Sequence, residues 1–258
     1  MGREGAPSYD PHFFRTLRDI EDRHFWFVCR REVILDAIRR TVPDVAARSL
    51  FDIGCGTGGL LSFLVSNGVS VSGACDAYPE SLQLVHSRLD VPLVLVDEGR
   101  LPPLGCGHEM LSMFDVLEHV DDDLGMLRFL RSALLPGGVL VLTVPAHPFL
   151  YDEMDELAHH RRRYTRGELR ERLAAAGFEV RLLTHFMSPL VPLLAVLRAC
   201  GRLLPHRAAV RRQKEFQVVP GLNGVMNGVL AAERSLLRVC SVPFGTSLVA
   251  VAARPSAP

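Results

Sequence analysis

The stretch "FDIGCGTGG", residues 51–59, places four glycines within nine residues directly after a short apolar run. Because glycine has no side chain, a ligand can lie against the backbone there, close to the positive N-terminal end of a following helix. Glycines this dense weaken the strand and the helix that they join, so a turn without a ligand explains them poorly. The stretch therefore predicts a strand, a glycine loop and a helix that together bind a nucleotide-like ligand.

Short apolar runs alternate with helical patterns on the C-terminal side of this loop. The alternation runs from "SLFDIG" (49–54) to "FEVRLLTHF" (178–186), and "TSLVAVAAR" (246–254) is typical of one further strand. Strands that alternate with helices of this length form right-handed βαβ units around a largely parallel sheet. A turn is predicted at Pro136-Gly137-Gly138, ahead of the β-prone "VLVLTVPA" (139–146).

Two helices are predicted with particular detail. In "RREVILDAIRRTV" (30–42) the apolar residues recur at helical spacing with arginines on the other face; they are Val33, Ile34, Ala37 and Ile38. In "TRGELRERLAAAG" (165–177) we expect Thr165 as N-cap, Glu168 at the capping-box position and Gly177 as C-cap.

Composition excludes several classes of protein. Over 258 residues, Lys+Arg and Asp+Glu both total 29, so no global positive field would gather nucleic acid. The six cysteines form no CxxC pair and no regular spacing, which predicts free thiols in a reducing cytosol and no zinc or other metal site; they are Cys29, Cys55, Cys75, Cys106, Cys200 and Cys240.

The N-terminus lacks the continuous apolar core of a signal peptide, so we expect a cytoplasmic protein. The segment "FMSPLVPLLAVLRACGRLL" (186–204) is apolar, but it contains two prolines, and Arg198 interrupts it before a full bilayer span. A buried or interfacial helix is the better prediction, without stable insertion into a membrane.

Two classes of ligand compete for the glycine loop. Gly54, Gly56 and Gly59 satisfy the GxGxxG pattern, and Asp76 lies near the distance at which a dinucleotide-binding protein holds a ribose hydroxyl. Against a dinucleotide, Asp52 stands inside the strand two residues before the first glycine. A carboxylate there would crowd a pyrophosphate but could orient a cationic or amine-bearing ligand.

"FDIGCGTGG" resembles the first motif of class I S-adenosylmethionine-dependent methyltransferases, and the resemblance extends over residues 49–146. Asp76 closes the second strand, "LVLVDEGRLP" (93–102) follows the third, and "FDVLEHVDDD" (114–123) and "LLPGGVLVLTVP" (134–145) are similar to the fourth and fifth strand motifs. The resemblance implies S-adenosylmethionine as cofactor and S-adenosylhomocysteine as product. It also implies the cofactor-binding residues, which are Trp26, Arg30, Asp52, Gly54, Cys55, Gly56, Gly58, Asp76, Ala77, Asp97, Glu98, Asp115 and Leu117.

Two more stretches resemble a bacterial subgroup of small-molecule methyltransferases. "EDRHFWFVCRREVI" (21–34) looks like a lid helix, whose residues closest to the cofactor would be His24, Trp26, Arg30 and Arg31. "HRRRYTRGEL" (160–169) is similar to the subgroup's GHxRRYT signature, with His159 in place of its glycine. This substitution puts the local turn in question.

The fold that this resemblance implies is an α/β, Rossmann-like, doubly wound sheet of seven strands, mostly parallel with an antiparallel last strand. We expect four regions along the chain. They are an N-terminal lid or helical segment (1–45), the cofactor-binding core (46–186), a helical cap or dimerisation insertion (187–244), and the last core strand with a tail (245–258).

Methyl transfer needs donor and acceptor aligned about 3 Å apart, water excluded, and a proton removed where the acceptor carries one. Histidine has a pKa suited to that last task. The candidate catalytic residues are His119, His147, His160 and Tyr164, and the candidate substrate-binding residues are Tyr151 and Arg163. Each also has a structural interpretation: His119 as a helix cap, His147 as a loop residue fixed by neighbouring prolines, and "HHRRRYTR" (159–166) as a solvated helix entrance.

The sequence thus predicts a methyltransferase that acts on a small molecule, in a natural-product or polysaccharide-related biosynthetic pathway, with a possible homodimer through 187–244. Three alternatives stay open, and a fourth, RNA modification, is less favoured. The chain could be a non-methylating S-adenosylmethionine enzyme such as a cyclase, an NAD-dependent oxidoreductase, or a non-catalytic binding protein. RNA modification is disfavoured by the neutral net charge and the lack of an appended RNA-binding module.

Overall fold

The computed structural model describes residues 11–97, 104–192, 194–196 and 218–256. One sheet runs through these residues. Its strands are β1 (Ser49–Ile53), β2 (Ser70–Asp76), β3 (Leu93–Leu95), β4 (His108–Phe114), β5 (Leu134–Pro145), β6 (Glu179–Phe186) and β7 (Ser247–Ala253). The helices with defined bounds are α1 (Pro11–Ile20), α2 (Phe25–Thr41), α3 (Gly59–Ser66), α4 (Pro79–His86), α5 (Asp123–Ala133), α6 (Glu153–Leu157), α7 (Arg166–Ala175) and α8 (Pro220–Leu237).

The strand order is β3-β2-β1-β4-β5-β7-β6. Neighbouring strands from β3 to β5 pair in parallel, whereas β7 pairs antiparallel with both β5 and β6. This arrangement confirms the predicted seven-stranded, Rossmann-like sheet. The order reverses between β1 and β4, and in open α/β sheets ligands bind at that point, outside the carboxyl ends of the strands.

Helices cover both faces of the sheet. One core cluster joins α2, α3 and α8 to the sheet, and a second cluster joins α5 and α7 to the opposite face. The apolar stripe predicted on α2 is confirmed, because Val33, Ile34, Ala37 and Ile38 are all at most 5% exposed. Burial of an aliphatic side chain of this size stabilises the fold by about 1.5–3 kcal/mol.

The local predictions for α7 hold, with one shift at its end. Thr165 and Glu168 form the reciprocal capping box that was predicted. The cap residue at the C-terminus is Ala176 rather than Gly177. Gly177 follows it with a φ of +84°, in the left-handed conformation that glycine adopts with little strain.

The predicted turn at residues 136–138 lies inside the first part of β5 instead of ahead of the strand. The pairing of β4 with β5 shifts register between His108 and Met110, opposite this stretch. Gly137 has a φ of +77° and donates its N–H to the carbonyl of Arg254, 2.9 Å away. The strand therefore begins earlier than the sequence indicated, with an irregularity where the turn was expected.

Helix α8 attaches the described part of the insertion to α2. Arg234 and Arg238 both pair with Asp36, at 2.6 and 3.0 Å. Glu233 accepts hydrogen bonds from the backbone N–H groups of Met187 and Ser188. Residues 193 and 197–217 lie outside the described residues, so the predicted region boundaries stay a prediction. Among the described residues, no helix has the length and apolarity needed to cross a bilayer.

Candidate active site

The glycine loop connects β1 to α3 as predicted. Gly54, Gly56 and Gly58 have φ values of +78°, +53° and +73°. A Cβ atom at Gly54 would lie 2.4 Å from a methyl carbon of Val116, so that position is closed by packing. A Cβ at Gly56 would meet nothing within 4 Å. The backbone at Gly56 is therefore open to a ligand.

Asp76 lies against this loop at the carboxyl end of β2. Its carboxylate accepts hydrogen bonds from the N–H of Gly56 at 2.8 Å and the N–H of Tyr78 at 3.0 Å. The residue is 6% exposed, and this burial raises the pKa of its carboxyl group while the hydrogen bonds oppose the rise. A buried carboxylate held in place at the open part of the loop fits the predicted contact with ribose hydroxyls.

Glu21 brings a carboxylate to the N-terminal end of α3. It accepts a hydrogen bond from the hydroxyl of Thr57, and its Oε1 lies 2.5 Å from Nη2 of Arg88. A Cβ at Gly59 would collide with the Glu21 carboxylate, which shows how closely the two approach. The Glu21–Arg88 pair thus occupies the position where a helix N-terminus would bind a pyrophosphate. This placement disfavours the dinucleotide alternative.

Asp52 lies under the loop in β1 and is 2% exposed. Its Oδ1 accepts a hydrogen bond from the Ser112 hydroxyl. Burial raises the pKa of the Asp52 carboxyl to about 7, against the lowering effects of Ser112 and Arg30. The predicted interior carboxyl group is therefore present, and burial makes it hold its proton to a higher pH than an exposed aspartate does.

Arg30 of α2 reaches the end of β4. Its Nε lies 2.6 Å from Oδ2 of Asp115, which itself has a φ of +55°. The guanidinium carbon lies 5.4 Å from the ring centre of Trp26 and 5.8 Å from that of Phe114, distances at which a cation is attracted to an aromatic face. The structure thus brings together three of the residues assigned to the cofactor site: Trp26, Arg30 and Asp115.

The other two lid residues hold α2 in position. His24 is the N-cap of α2, and its Nδ1 accepts a hydrogen bond from the N–H of Trp26 at 3.3 Å. Arg31 pairs with Asp22 at 2.9 Å and lies over the ring of Phe63, on the side of α3. These contacts join α2 to the residues just before it and to α3.

The remaining residues predicted to bind the cofactor differ in how far they are exposed. Ala77 is half-buried beside Asp76, and Asp97 is exposed just after β3. Cys55 is buried next to Ser81, and desolvation raises the pKa of its thiol well above the ordinary value. Leu117 is fully buried in the core, so its side chain contacts other core residues. Glu98 lies outside the described residues.

Glu118, His119 and His160 meet at the carboxyl edge of the sheet. Glu118 and His119 belong to the short 3₁₀ turn after β4, and His160 comes from the signature stretch after α6. The rings of His119 and His160 lie 4.9 Å apart at 82°, and Nε2 of His160 lies 3.9 Å from Oε1 of Glu118. Desolvation, followed by the effect of His160, lowers the pKa of His119 to about 4, so its imidazole is neutral at pH 7.

Glu118 is 0% exposed, and neither of its carboxylate oxygens has a hydrogen-bond partner within the described part of the chain. Desolvation raises the pKa of its carboxyl well above the ordinary value, and Asp115 adds to the rise. Buried polar atoms without partners are rare in native proteins, and each needs an explanation such as a catalytic role, an ordered water or a bound ion. Glu118 is not among the site residues predicted from the sequence.

Asp155 organises the other side of His160. Its Oδ1 lies 2.8 Å from Nδ1 of His160 and 2.8 Å from Nε of Arg163. Asp155 is 1% exposed, and the bonds from His160 and Arg163 outweigh desolvation and lower the pKa of its carboxyl. Tyr151 donates its hydroxyl to the backbone carbonyl of His160 at 2.8 Å. The predicted substrate residues Tyr151 and Arg163 thus both contact this turn.

Tyr164 lies in the core rather than at an open surface. It is 3% exposed, and its hydroxyl donates to Oδ2 of Asp123 at 3.1 Å. Desolvation and the Asp123 carboxylate raise the pKa of this hydroxyl well above its usual range. A tyrosine so placed ties its own strand of chain to the turn between β4 and α5, and its catalytic role stays a prediction.

His159 stands where the signature has glycine, and its backbone conformation is one that favours glycine. His159 has a φ of +58°, so the histidine occupies the left-handed conformation that a glycine would adopt more easily. Its backbone N–H donates to the carbonyl of Glu156 at 2.9 Å.

His147 follows β5 with a φ of +64°, and its ring stacks on His185 of β6 at 5.0 Å and 7°. Desolvation lowers the pKa of both imidazoles, to about 4 for His185. His185 is 3% exposed and was not predicted as a site residue. This histidine pair lies at the same edge of the sheet as His119 and His160, on the β5 and β6 side.

Comparison with known proteins gives a family and several relatives. A family model described as a methyltransferase domain matches residues 27–183. A protein of Mycolicibacterium smegmatis named as a probable S-adenosylmethionine-dependent methyltransferase is 28% identical over 171 residues, which cover 64% of this chain and 64% of that protein. The ubiquinone biosynthesis O-methyltransferase of Marinobacter nauticus is 26% identical over 191 residues, covering 66% and 76% of the two chains. The chain therefore spans less than two thirds of the length of the first of these relatives.

Among solved structures, phosphoethanolamine N-methyltransferase 2 of Haemonchus contortus, in complex with S-adenosyl-L-methionine, superposes with a TM-score of 0.63. The match covers 99% of this chain and 62% of that one, at 15% identity. Identity this low supports a shared fold and nothing finer.

Proposed function

We propose that this chain, which belongs to the family of class I S-adenosylmethionine-dependent methyltransferase domains, transfers a methyl group to a hydroxyl group of a small-molecule acceptor. The observation that carries the proposal is the family match over residues 27–183, which includes the glycine loop, Asp76 and the Glu118–His160 cluster. A hydroxyl acceptor is supported by the O-methyltransferase relative and by the histidines at the sheet edge. The predicted biosynthetic role, natural-product or polysaccharide-related, is part of this proposal.

The residues present fit the cofactor. Gly56 leaves its backbone open, Asp76 offers a fixed carboxylate for ribose hydroxyls, and Trp26 with Arg30 closes the site from α2. When bound, the cofactor supplies an electrophilic methyl group on a positively charged sulfur. Two carboxyl groups stand on this side of the sheet: Asp52 in β1, whose pKa burial raises, and Asp115 after β4, which pairs with Arg30. They suit a cationic ligand better than an anionic one.

The chain's own task at the acceptor is to orient a hydroxyl and take its proton. His160 is the leading residue for it, because Asp155 holds Nδ1 and directs Nε2 toward Glu118 and His119. A carboxylate that fixes one imidazole nitrogen selects the tautomer and supports the other nitrogen as a base. His119 and His147 are further candidates, and Tyr151 and Arg163 would support the acceptor from the same turn.

Calorimetry with S-adenosylhomocysteine and, in parallel, NAD tests the cofactor assignment. We expect S-adenosylhomocysteine to bind alone, and Asp76→Ala to weaken it by about 1.5–3 kcal/mol through loss of charge-assisted hydrogen bonds. Asp90→Ala, at an exposed position after α4, is the control and should bind as the wild type does. Binding of NAD alone would overturn the proposal.

A panel of small hydroxylated acceptors then tests the reaction. Turnover that releases S-adenosylhomocysteine with a methylated product supports methyl transfer. Consumption of the cofactor without S-adenosylhomocysteine would indicate the non-methylating alternative, and binding without any turnover across the panel would favour a binding protein.

A further inference from the structure

We propose that Glu118, His119 and His160 form a binding site for one divalent first-row transition-metal ion, such as Zn²⁺ or Mn²⁺. The proposal that an ion binds here is argued from these three side chains alone. The role given to the ion below rests on the proposed methyl transfer. The sequence predicted no metal site.

The geometry of the three side chains fits one ion. One ligand atom from each residue lies within 4.8 Å of the others, and the His160–Glu118 pair is already at 3.9 Å. Ligands with bonds of about 2.0–2.2 Å around a tetrahedral ion lie roughly 3.4 Å apart. The ligand atoms therefore need to approach one another by at most about 1.4 Å to close around an ion.

Glu118 supplies an independent reason to expect a cation. Its side chain is 0% exposed, and neither oxygen is hydrogen-bonded within the described residues. Arg30 and Arg163 are near enough to act on it electrostatically, but their closest partners are Asp115 and Asp155. A buried carboxylate without a partner is strongly destabilising, and coordination to a metal removes that penalty.

The surroundings of His160 match those of metal-binding histidines. A histidine that binds a metal through one ring nitrogen almost always bonds a carboxylate, carbonyl or water through the other. Nδ1 of His160 lies 2.8 Å from the buried Asp155 carboxylate, which leaves Nε2 facing Glu118.

The ligand types select the class of ion. Two imidazoles and one carboxylate suit zinc, manganese or iron, whereas magnesium and calcium prefer oxygen ligands alone. Three protein ligands leave at least one coordination position open, as in catalytic metal sites. A hydroxyl oxygen of the acceptor bound there would lose its proton to water at a lower pH than a free hydroxyl. In the metal-loaded protein Nε2 of His160 would be a ligand, so the ion would replace His160 in the role of base proposed above.

The test is metal binding to the full chain, purified with a chelator and then dialysed. Co²⁺ titration followed by visible absorption and Zn²⁺ titration by calorimetry should both show one ion per chain. Glu118→Gln and His160→Gln should each lower the affinity at least tenfold, and Asp155→Asn about 10- to 100-fold, as loss of a supporting carboxylate does. His86→Gln, an exposed histidine on α4, is the matched control and should leave both titrations unchanged.

Absence of stoichiometric binding in the wild type would overturn the inference. So would binding that survives Glu118→Gln and His160→Gln but is lost when the exposed Cys106 and Cys240 are replaced by serine. Circular dichroism checks the fold of each variant, and if Glu118→Gln does not fold, the wild-type stoichiometry and the His160→Gln titration decide. Calorimetry with S-adenosylhomocysteine separates the two proposals, because the cofactor can bind while the metal does not.

Discussion

Nδ1 of His160 lies 2.8 Å from Oδ1 of Asp155, across a turn in which His159 adopts a φ of +58°. The strained conformation reverses the chain after α6, so that two residues close in sequence face each other. Asp155 is buried and is also held by Arg163, so its carboxylate cannot turn away. The pair fixes which nitrogen of His160 points toward Glu118 and His119.

Asp155→Asn should reduce turnover by about 10²–10⁴-fold, the range typical of lost acid–base assistance. An amide cannot hold His160 in the same tautomer as strongly as a carboxylate. The affinity for S-adenosylhomocysteine should stay unchanged, because Asp155 is not among the residues assigned to the cofactor. Steady-state kinetics and calorimetry check the two expectations, with the exposed Glu153→Gln as control. Equal losses in turnover and in cofactor affinity would count against a role confined to the acceptor.

Gly56→Ala should weaken S-adenosylhomocysteine binding at least tenfold while lowering the free energy of unfolding by only about 1 kcal/mol. The new methyl group would project into the open space beside the loop, where the ligand is expected. Gly68→Ala is a matched control, since Gly68 also has a positive φ, of +86°, and open space at its Cβ. Both variants place a Cβ at a positive φ with open space around it, so a loss of affinity seen only in Gly56→Ala indicates contact with the ligand. Equal affinities of the two variants would place the cofactor elsewhere.

Glu21→Gln should lower the free energy of unfolding by about 2 kcal/mol, because Arg88 would lose a hydrogen-bonded carboxylate partner. The loss is smaller than for a fully favourable buried pair, since desolvation already raises the pKa of the Glu21 carboxyl. Arg88, 15% exposed, would be left without its charged partner. Asp22→Asn breaks the neighbouring pair with Arg31, in which Asp22 is 69% exposed, and should cost at most about 1 kcal/mol. Urea unfolding measures both. If the two variants are equally stable, the bonds of Glu21 to Thr57 and Arg88 do not stabilise the fold.

Asp52→Asn should change how stability depends on pH. The folded-state pKa of Asp52, about 7, lies above its unfolded value, so the folded protein holds this proton more tightly. The stabilisation that comes from this tightly held proton is therefore complete below about pH 4 and is lost as the pH rises through 7. The loss in the free energy of unfolding is at most about 4 kcal/mol. Asparagine does not titrate, so the stability of the variant relative to the wild type should rise from pH 4.5 to 7.5. Parallel stability curves in urea would show that Asp52 does not titrate in this range.

Local patterns predicted the local structures well. The glycine loop, the α2 stripe and the Thr165–Glu168 capping box each depend on residues a few positions apart, whose spacing is visible in the sequence. The strand alternation likewise predicted the sheet, because βαβ connections have one preferred hand.

The site depended on contacts between distant parts of the chain, which spacing does not reveal. Glu21 is 36 residues from Thr57, and His119 meets His160 only through the fold. Tyr164 matched a signature, but the pattern could not show that its side chain turns toward Asp123. His185 lies in an apolar strand, where only the structure reveals its stacking on His147.

The position of β7 determines when the sheet can close during synthesis. β7 follows the other strands along the chain, yet it lies between β5 and β6 and bonds to both. Until it leaves the ribosome, β5 and β6 each present a free edge to which other nascent chains can bind. A chain that stalls before Ser247 would therefore tend to aggregate instead of keeping a smaller folded core.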